Sequence, residues 1–564
     1  MGSISPVVAL GACAIAAGAV CGGALLTGAV KAPEALTLSA PAEPPLSYPQ
    51  AVRLAKQATF GPSAPLVVHM VATGLSPWLD EQFAATGSSY ADLARLTVPR
   101  NYCKGKTGAE RTACNRDYLS ATPVAMRFYA DAANRDDQLR QRVAWALSQL
   151  LVASDVQVHT TAGVAALNQI FLDNAFGNYR DILKAVTLNP YMGDYLDLAD
   201  SNRTAPSENY ARELMQLFSL GVNQLEADGT IKRDAAGAPL ATYSSADVHE
   251  VARALTGWTY ARLDGASTAD TNNLDYSSPM VPFPGRYDTG AKSFLGRTVP
   301  ANASQEASLD AVMDAVFNHA NTAPYLSRRL IQQLVISNPS PAYVGRVSLV
   351  FADDGSGVRG NLKAVVRAIL TDPEARGAGP NVAAEGKVKE PVLLELGLAR
   401  AIGMETDGYA FTTRDAAPGQ QPFRAPSVFN FYPPDFPLPL GGNVLSPSSK
   451  LLTTATVVAR HNFVYDWTIT GDADKRKEFA PLATIAGATG TLPLWAGWET
   501  LDLDAQLDRV NLLLLEYGLT APQRAAMRAA MLATTDRDPV VQARRRAQVA
   551  LYVAASSPLF QIDR

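Results

Sequence analysis

The densest run of chemistry-bearing side chains lies between Asp194 and Gly221, where Asp197, Asp200, Glu208, Asn209, Arg212, Glu213 and Gln216 crowd together. Paired carboxylates beside fixed amide and guanidinium groups are the equipment of acid–base cleavage, glycoside cleavage included. In that reading Glu208 and Glu213 are the acid and the base, and Asn209 and Arg212 hold a polar ligand. A structural reading competes with it. Glu208 would then complement the helix dipole and pair with Arg212 at i, i+4, while Glu213 pairs with a buried arginine such as Arg142. Each helical residue turns about 100°, so Glu208 and Glu213 point about 140° apart. That angle argues against both lining one narrow cleft. A partner from another loop is needed, and Asp288 is the best candidate.

Four further side chains carry two readings each. Trp258, with Tyr260 beside it, offers a stacking platform for a sugar or a pair of core aromatics. Lys292 lies near Asp288 and suits either a loop salt bridge or an anionic ligand. His319 stands at a helix end before Pro324, as a cap or as a site group. Several motif matches are discounted. Gly355-Ser-Gly357-Val-Arg-Gly360 matches the dinucleotide fingerprint, but no strand with an acidic ribose-binding end follows, so it reads as a helix–helix turn. The run Gly285 to Ser293 misses a phosphate-binding loop by one inserted residue. His249-Glu250-Val-Ala-Arg253 has Arg where a zincin needs its second His. Only five histidines are present, so a multi-histidine metal centre would use most of the supply. No metal ligand set and no cofactor is named by these residues; a metal-dependent redox protein is the third and weakest functional class.

The elements that must position these groups are mainly helices. Residues 139–154 place Leu139, Val143, Ala146, Leu147 and Leu150 on one apolar stripe, with Arg140 and Arg142 off it. Ser244 to Asp247 forms a capping-box start, and Thr520 with Gln523 another. Pro206 and Ser207 fit a helix start and Gly221 its stop. Residues 361–371, 507–517, 522–532 and 540–555 repeat the helical period. Strand signals are sparse: Asp228-Gly229 marks a hairpin turn flanked by Leu225 and Ile231. Residues 264–300 and the Pro-rich 403–447 read as long irregular loops. The fold class expected is all-α, a large multi-helix body with long irregular loops and a few short strands.

Across 564 residues, 47% are hydrophobic and 18% charged, which excludes wholesale disorder. The net charge of −4 lacks the basic excess of a nucleic-acid binder. Residues 1–30 contain no charged side chain and read as a signal peptide or membrane anchor, the only membrane association expected. Leu10-Gly-Ala-Cys13 resembles a lipobox, so lipidated, cleaved and anchored forms all stay open. Residues 31–49 form a Pro/Ala-rich linker. Residues 50–400 form the main helical domain, and 401–564 a Pro-rich loop with a C-terminal helical extension of the same body. In an exported chain, Cys103 and Cys114 are expected to close a disulfide.

Several segments together resemble domain-of-unknown-function family 1800. They include Arg53-Leu-Ala-Lys-Gln-Ala-Thr-Phe-Gly-Pro62, Arg140-Gln-Arg-Val-Ala-Trp-Ala-Leu-Ser148, Glu208-Asn-Tyr-Ala-Arg-Glu213, Ala252-Arg-Ala-Leu-Thr-Gly-Trp258, Asn338-Pro-Ser-Pro-Ala-Tyr343, Ser427-Val-Phe-Asn-Phe-Tyr432 and Ser556-Ser-Pro-Leu-Phe560. The resemblance covers residue 50 to the C-terminus. It implies an exported, helical, envelope-associated bacterial protein whose gene is often beside one for an exported sulfatase-like companion; it implies no particular chemistry. Two positions depart from the pattern: Ser207 replaces the usual Asn, and Tyr287 the usual His. If that His were a catalytic base or ligand, this member would be impaired.

The function expected is extracytoplasmic: periplasmic, envelope-anchored or secreted. The protein would be a hydrolase or lyase acting on an extracellular polysaccharide or other polymer. The alternative is a non-catalytic scaffold or binding partner of the sulfatase-like companion. An enzyme should gather polar groups in a pocket with perturbed carboxylates. A scaffold should scatter them into ion pairs and expose apolar surface.

Overall fold

Helix starts carry their own signals. Capping boxes stand at Ser47, Ser244 and Thr520, each with a side chain accepting the N3 backbone N–H. The computed structural model describes residues 45–563 except 268, 378–385, 439–443, 472–474 and 486. The expected signal or anchor, Cys13 and most of the linker lie outside the described residues. The chain is predominantly α-helical, with 24 helices among the described residues. Among the described residues, strands form only two-stranded sheets. No helix among the described residues is long and apolar enough to cross a membrane.

Two helices lie at the centre. Every residue of Pro391–Ile402 is buried. Gln138–Leu150 buries its predicted stripe except the half-buried Leu150, and also buries Gln138, Gln141, Arg142 and Gln149. A helix covered on all sides has no solvent face. Arg142, which the periodicity places off the stripe, is therefore fully buried and donates to the Gln333 carbonyl at 2.8 Å. The 401–564 part packs onto this core. Its strand Ile562–Asp563 pairs antiparallel with Lys387–Val388, and Glu516 accepts from Lys56.

The hairpin forms as expected, with Leu225 bridged to Ile231 and Gly229 at φ 79°. The loop at 264–300 is less irregular than expected. It contains the strands Leu274–Asp275, Val281–Pro282, Lys292–Phe294 and Arg297–Val299. Each is too short to show a period-2 pattern in sequence.

Cys103 and Cys114 are bonded, 11 positions apart, across the start of the Gly108–Tyr118 helix. Closing so short a loop stabilises the fold by about 3 kcal/mol on the chain-entropy model. Cys103→Ser/Cys114→Ser should therefore lower the urea midpoint, and reductant should lower the wild-type midpoint to the same value. A midpoint unchanged in both would refute the contribution.

Candidate functional site

The Asp194–Gly221 region resolves into an eight-residue helix, Asn209–Gln216, with Glu208 at its N-cap. The helix begins later than Pro206–Ser207 suggested and closes before Gly221. Its C-terminal end widens into longer-range bonds, Phe218 N–H to Glu213 O at 3.0 Å and Gly221 N–H to Met215 O at 3.0 Å. Gly221 sits at φ 74°, where a Cβ would meet the Tyr325 ring at 2.9 Å. The stop signal was legible; the shortened helix was not.

The polar face of this helix is a surface network. Arg212 Nη2 donates to Glu208 Oε2 at 3.0 Å, and His249 Nδ1 meets Glu208 Oε1 at 3.2 Å. Asn209 donates to Asp197 at 3.0 Å. His249 belongs to the Ser245–Ala254 helix, which packs against Asn209–Gln216. It is a partner that the discounted zincin-like motif had hidden. Glu213 does not pair with Arg142. One of its carboxylate oxygens is buried without a partner, and burial pushes this carboxyl up against the opposing pull of Arg212.

Asp288 lies in a guanidinium fork. Arg253 Nε reaches Oδ2 at 2.9 Å and Nη2 reaches Oδ1 at 3.2 Å, while Gly290 N–H reaches Oδ1 at 2.8 Å. Burial opposes its ionisation, but the Arg253 bonds and the Gly290 N–H hold the carboxyl below its ordinary range. Both oxygens are thus committed to the clamp. Charge-assisted bonds of this kind contribute about 1.5–3 kcal/mol. Asp288→Asn should lower the unfolding free energy by an amount in that range, read by urea titration; an unchanged value would show the clamp to be idle.

Lys292 is buried and donates to the Gly290 carbonyl at 2.9 Å, with Nζ 4.7 Å from the Tyr287 ring centroid. It braces its own loop. Tyr287, in the position of the expected His, bonds Ser308 Oγ at 2.5 Å and the Ala303 carbonyl at 3.1 Å. That ties the loop to the Gln305–Asn318 helix. Trp258 is 3% exposed and pairs on strand Trp258–Thr259 with Pro282, so its ring packs in the core rather than offering a face to a sugar. His319 is the C-cap of Gln305–Asn318, and its Nδ1 accepts the Asn321 N–H at 3.1 Å. Burial and the nearby Arg359 push its pKa down.

The structure therefore joins Glu208 and Arg212, with His249, in one exposed network, sets Asn209 apart on Asp197, and joins Asp288 to Lys292 and to Arg253 of the Ser245–Ala254 helix. Among the described residues, no group of three His, Cys, Asp or Glu side chains is placed to hold a metal ion.

An acid-bearing groove lies elsewhere. It runs between the Thr122–Asn134 helix and the paired strands Met404–Thr406 and Thr491–Pro493. Two adjoining cavities of about 620 and 760 Å³ share Asn134 and Thr489 along it. Asp131, Asp407, Arg127 and Arg135 line the first. Asp131 is 6% exposed, and its pKa is pushed up to about 6, chiefly by burial, against Arg127 and Arg135. Asp407 is fixed by the backbone: it accepts Gly490 N–H at 2.8 Å and Tyr409 N–H at 3.0 Å. Sequence did carry one signal for this groove. Asp131 continues the buried Val124–Phe128 stripe at i+7, an acid where an apolar residue belongs.

Fold and groove define an α-helical protein with an open cleft lined by both acids and arginines. A family model described as "Protein of unknown function (DUF1800)" matches residues 53–562, and the chain belongs to that family. No curated protein and no solved structure matches it.

Proposed function

We propose that this is an exported protein that cleaves an extended envelope or extracellular polymer along the Asp131 groove, with polysaccharide as the first substrate class. One observation carries the reading. The two cavities adjoin at Asn134 and Thr489, and the buried carboxyl that lines the first is poised to be a proton donor near neutral pH. Export rests on the uncharged residues 1–30 and is supported by the Cys103–Cys114 bond. In the hydrolytic step Asp131 gives its proton to the leaving oxygen as the C–O bond breaks. Water attacks the carbon and loses its proton to Asp407, which lines the same cavity.

The test is release of reducing ends from a panel of neutral, acidic and sulfated polysaccharides. Asp131→Asn should reduce the rate at least 100-fold, the scale of general-acid catalysis. Glu208→Gln should leave it within threefold, because that carboxylate serves an exposed ion pair. Equal rates in wild type and Asp131→Asn would sink the assignment.

A scaffold reading has its own support. Val457, Val458 and Tyr465 are exposed on the Thr454–Thr468 helix, an apolar surface suited to a protein partner such as the sulfatase-like companion. Val458→Glu/Tyr465→Glu should abolish co-purification with that companion while leaving reducing-end release intact; retention of the complex would refute it.

A further inference from the structure

A third, smaller cavity of about 60 Å³ lies between the Gln138–Leu150 helix, the Thr322–Leu334 helix, residues 428–434 and residues 447–448. Its wall is mainly apolar, and two of the polar groups set into it lack partners. Lys387, Gln332 and Ser337 all line it, at 5%, 6% and 2% exposure. Gln332 Oε1 and Ser337 Oγ are buried with no hydrogen-bond partner. The orientation of the Gln332 amide is set by its Nε2, which donates to the Ser337 carbonyl at 3.1 Å and the Pro434 carbonyl at 3.2 Å. Turning the amide over would face oxygen against two carbonyls, so Oε1 is an acceptor in want of a donor.

The charge balance around the cavity is also incomplete. Lys387 Nζ and Arg142 Nη2 both donate to the one Gln333 carbonyl, at 2.5 and 2.8 Å. Nε and Nη1 of Arg142 are buried without partners. The acids near these cations are Glu390 and Asp563. Asp563 is taken by Lys389 at 3.2 Å. Lys387, Lys389 and Arg142 thus share Glu390 and Asp563, and Arg329 adds a further cation to the cavity wall. A buried charge without a counter-charge is costly, and a small anion admitted to the cavity would relieve it.

We infer that this cavity binds a small hydroxy-carboxylate, its carboxylate accepting from Lys387 Nζ and Ser337 Oγ and its hydroxyl donating to Gln332 Oε1. The three groups ask for an anion and a hydroxyl donor in one compact ligand, which a simple halide or an unsubstituted carboxylate does not supply. The volume suits a free two- or three-carbon hydroxy acid, or the carboxylate-bearing edge of an acidic sugar entering from the surface. The site is separate from the Asp131 groove and does not depend on the polymer reading.

The test is isothermal titration of the full chain with glycolate, acetate, glucose and glucuronate. Glycolate or glucuronate should bind at least tenfold more tightly than acetate, and glucose should not bind. Preference for glucuronate assigns the natural ligand to an acidic sugar, and preference for glycolate to a free hydroxy acid. Lys387→Met should lose binding at least tenfold, with circular dichroism showing that it folds, because Lys387 also compensates the buried Glu390. Ser337→Ala provides a second, milder variant with weaker binding. No heat from either hydroxy-carboxylate, or binding unchanged in both variants, would overturn the inference.

Discussion

Replacing Glu390 by alanine should destabilise the protein by about 3–5 kcal/mol, enough to leave little folded chain at 37 °C. Glu390 is fully buried at the N-cap of the central Pro391–Ile402 helix. Its oxygens accept from Trp145 Nε1 at 2.9 Å, Gln420 Nε2 at 2.7 Å, Tyr432 Oη at 2.7 Å and Gln149 Nε2 at 3.1 Å. Burial alone would raise its pKa. Lys387, Arg142 and the Trp145 and Tyr432 donors outweigh burial and hold the carboxyl below its ordinary value. Alanine would strand these donors and leave the cations without their nearest acid. Glu390→Gln keeps the shape and part of the bonding, so its loss should be smaller. The sign with pH follows from the depressed pKa: the contribution is present above the unfolded pKa and is lost as pH falls through the folded one. Urea titrations at pH 7 check this; a loss below about 1 kcal/mol for Glu390→Ala would show the network to be dispensable.

Asp131→Asn should have the opposite effect on stability. The folded pKa of Asp131 is raised to about 6 from the model-compound 3.8. A raised carboxyl favours the folded state only while protonated. Stability is therefore lost as pH climbs from the unfolded value through the folded one, by up to about 3 kcal/mol. An amide in its place carries no charge to bury. At pH 8 the variant should be more stable than wild type by about 1–3 kcal/mol, and at pH 4 the two should converge. Paired with the expected loss of turnover, that is a site held at the expense of stability. Urea titrations at the two pH values read it directly; equal stability at pH 8 would contradict the burial of this acid.

Much of the helical frame was readable from single segments, because caps and a 3.6-residue period are local. Ser244–Asp247 and Thr520–Gln523 start the helices they announced. What was not local was missed. The burial of Arg142 depends on a second helix face covered by residues from 333 and 390, which one apolar stripe does not disclose. Density of polar residues drew attention to Glu208 and Glu213, yet exposed carboxylates find cations easily, and Glu208 did so in Arg212 and His249. Asp131 was a lone acid on an apolar face, and its groove is completed by Asp407 and Thr489, hundreds of positions away. Lys387-Val-Lys389-Glu390-Pro391 was the other missed signal: three charges directly before a wholly buried helix are buried together.

The central claim is that Asp131 is the proton donor of a polymer-cleaving groove. The most direct measurement is the pH profile of reducing-end release by wild type and Asp131→Asn on the polymer that wild type cleaves fastest. The account predicts a wild-type rate that falls as pH rises past about 6, as the Asp131 proton is lost, and a variant at least 100-fold slower with that limb gone. A variant that keeps both the rate and the limb would contradict it.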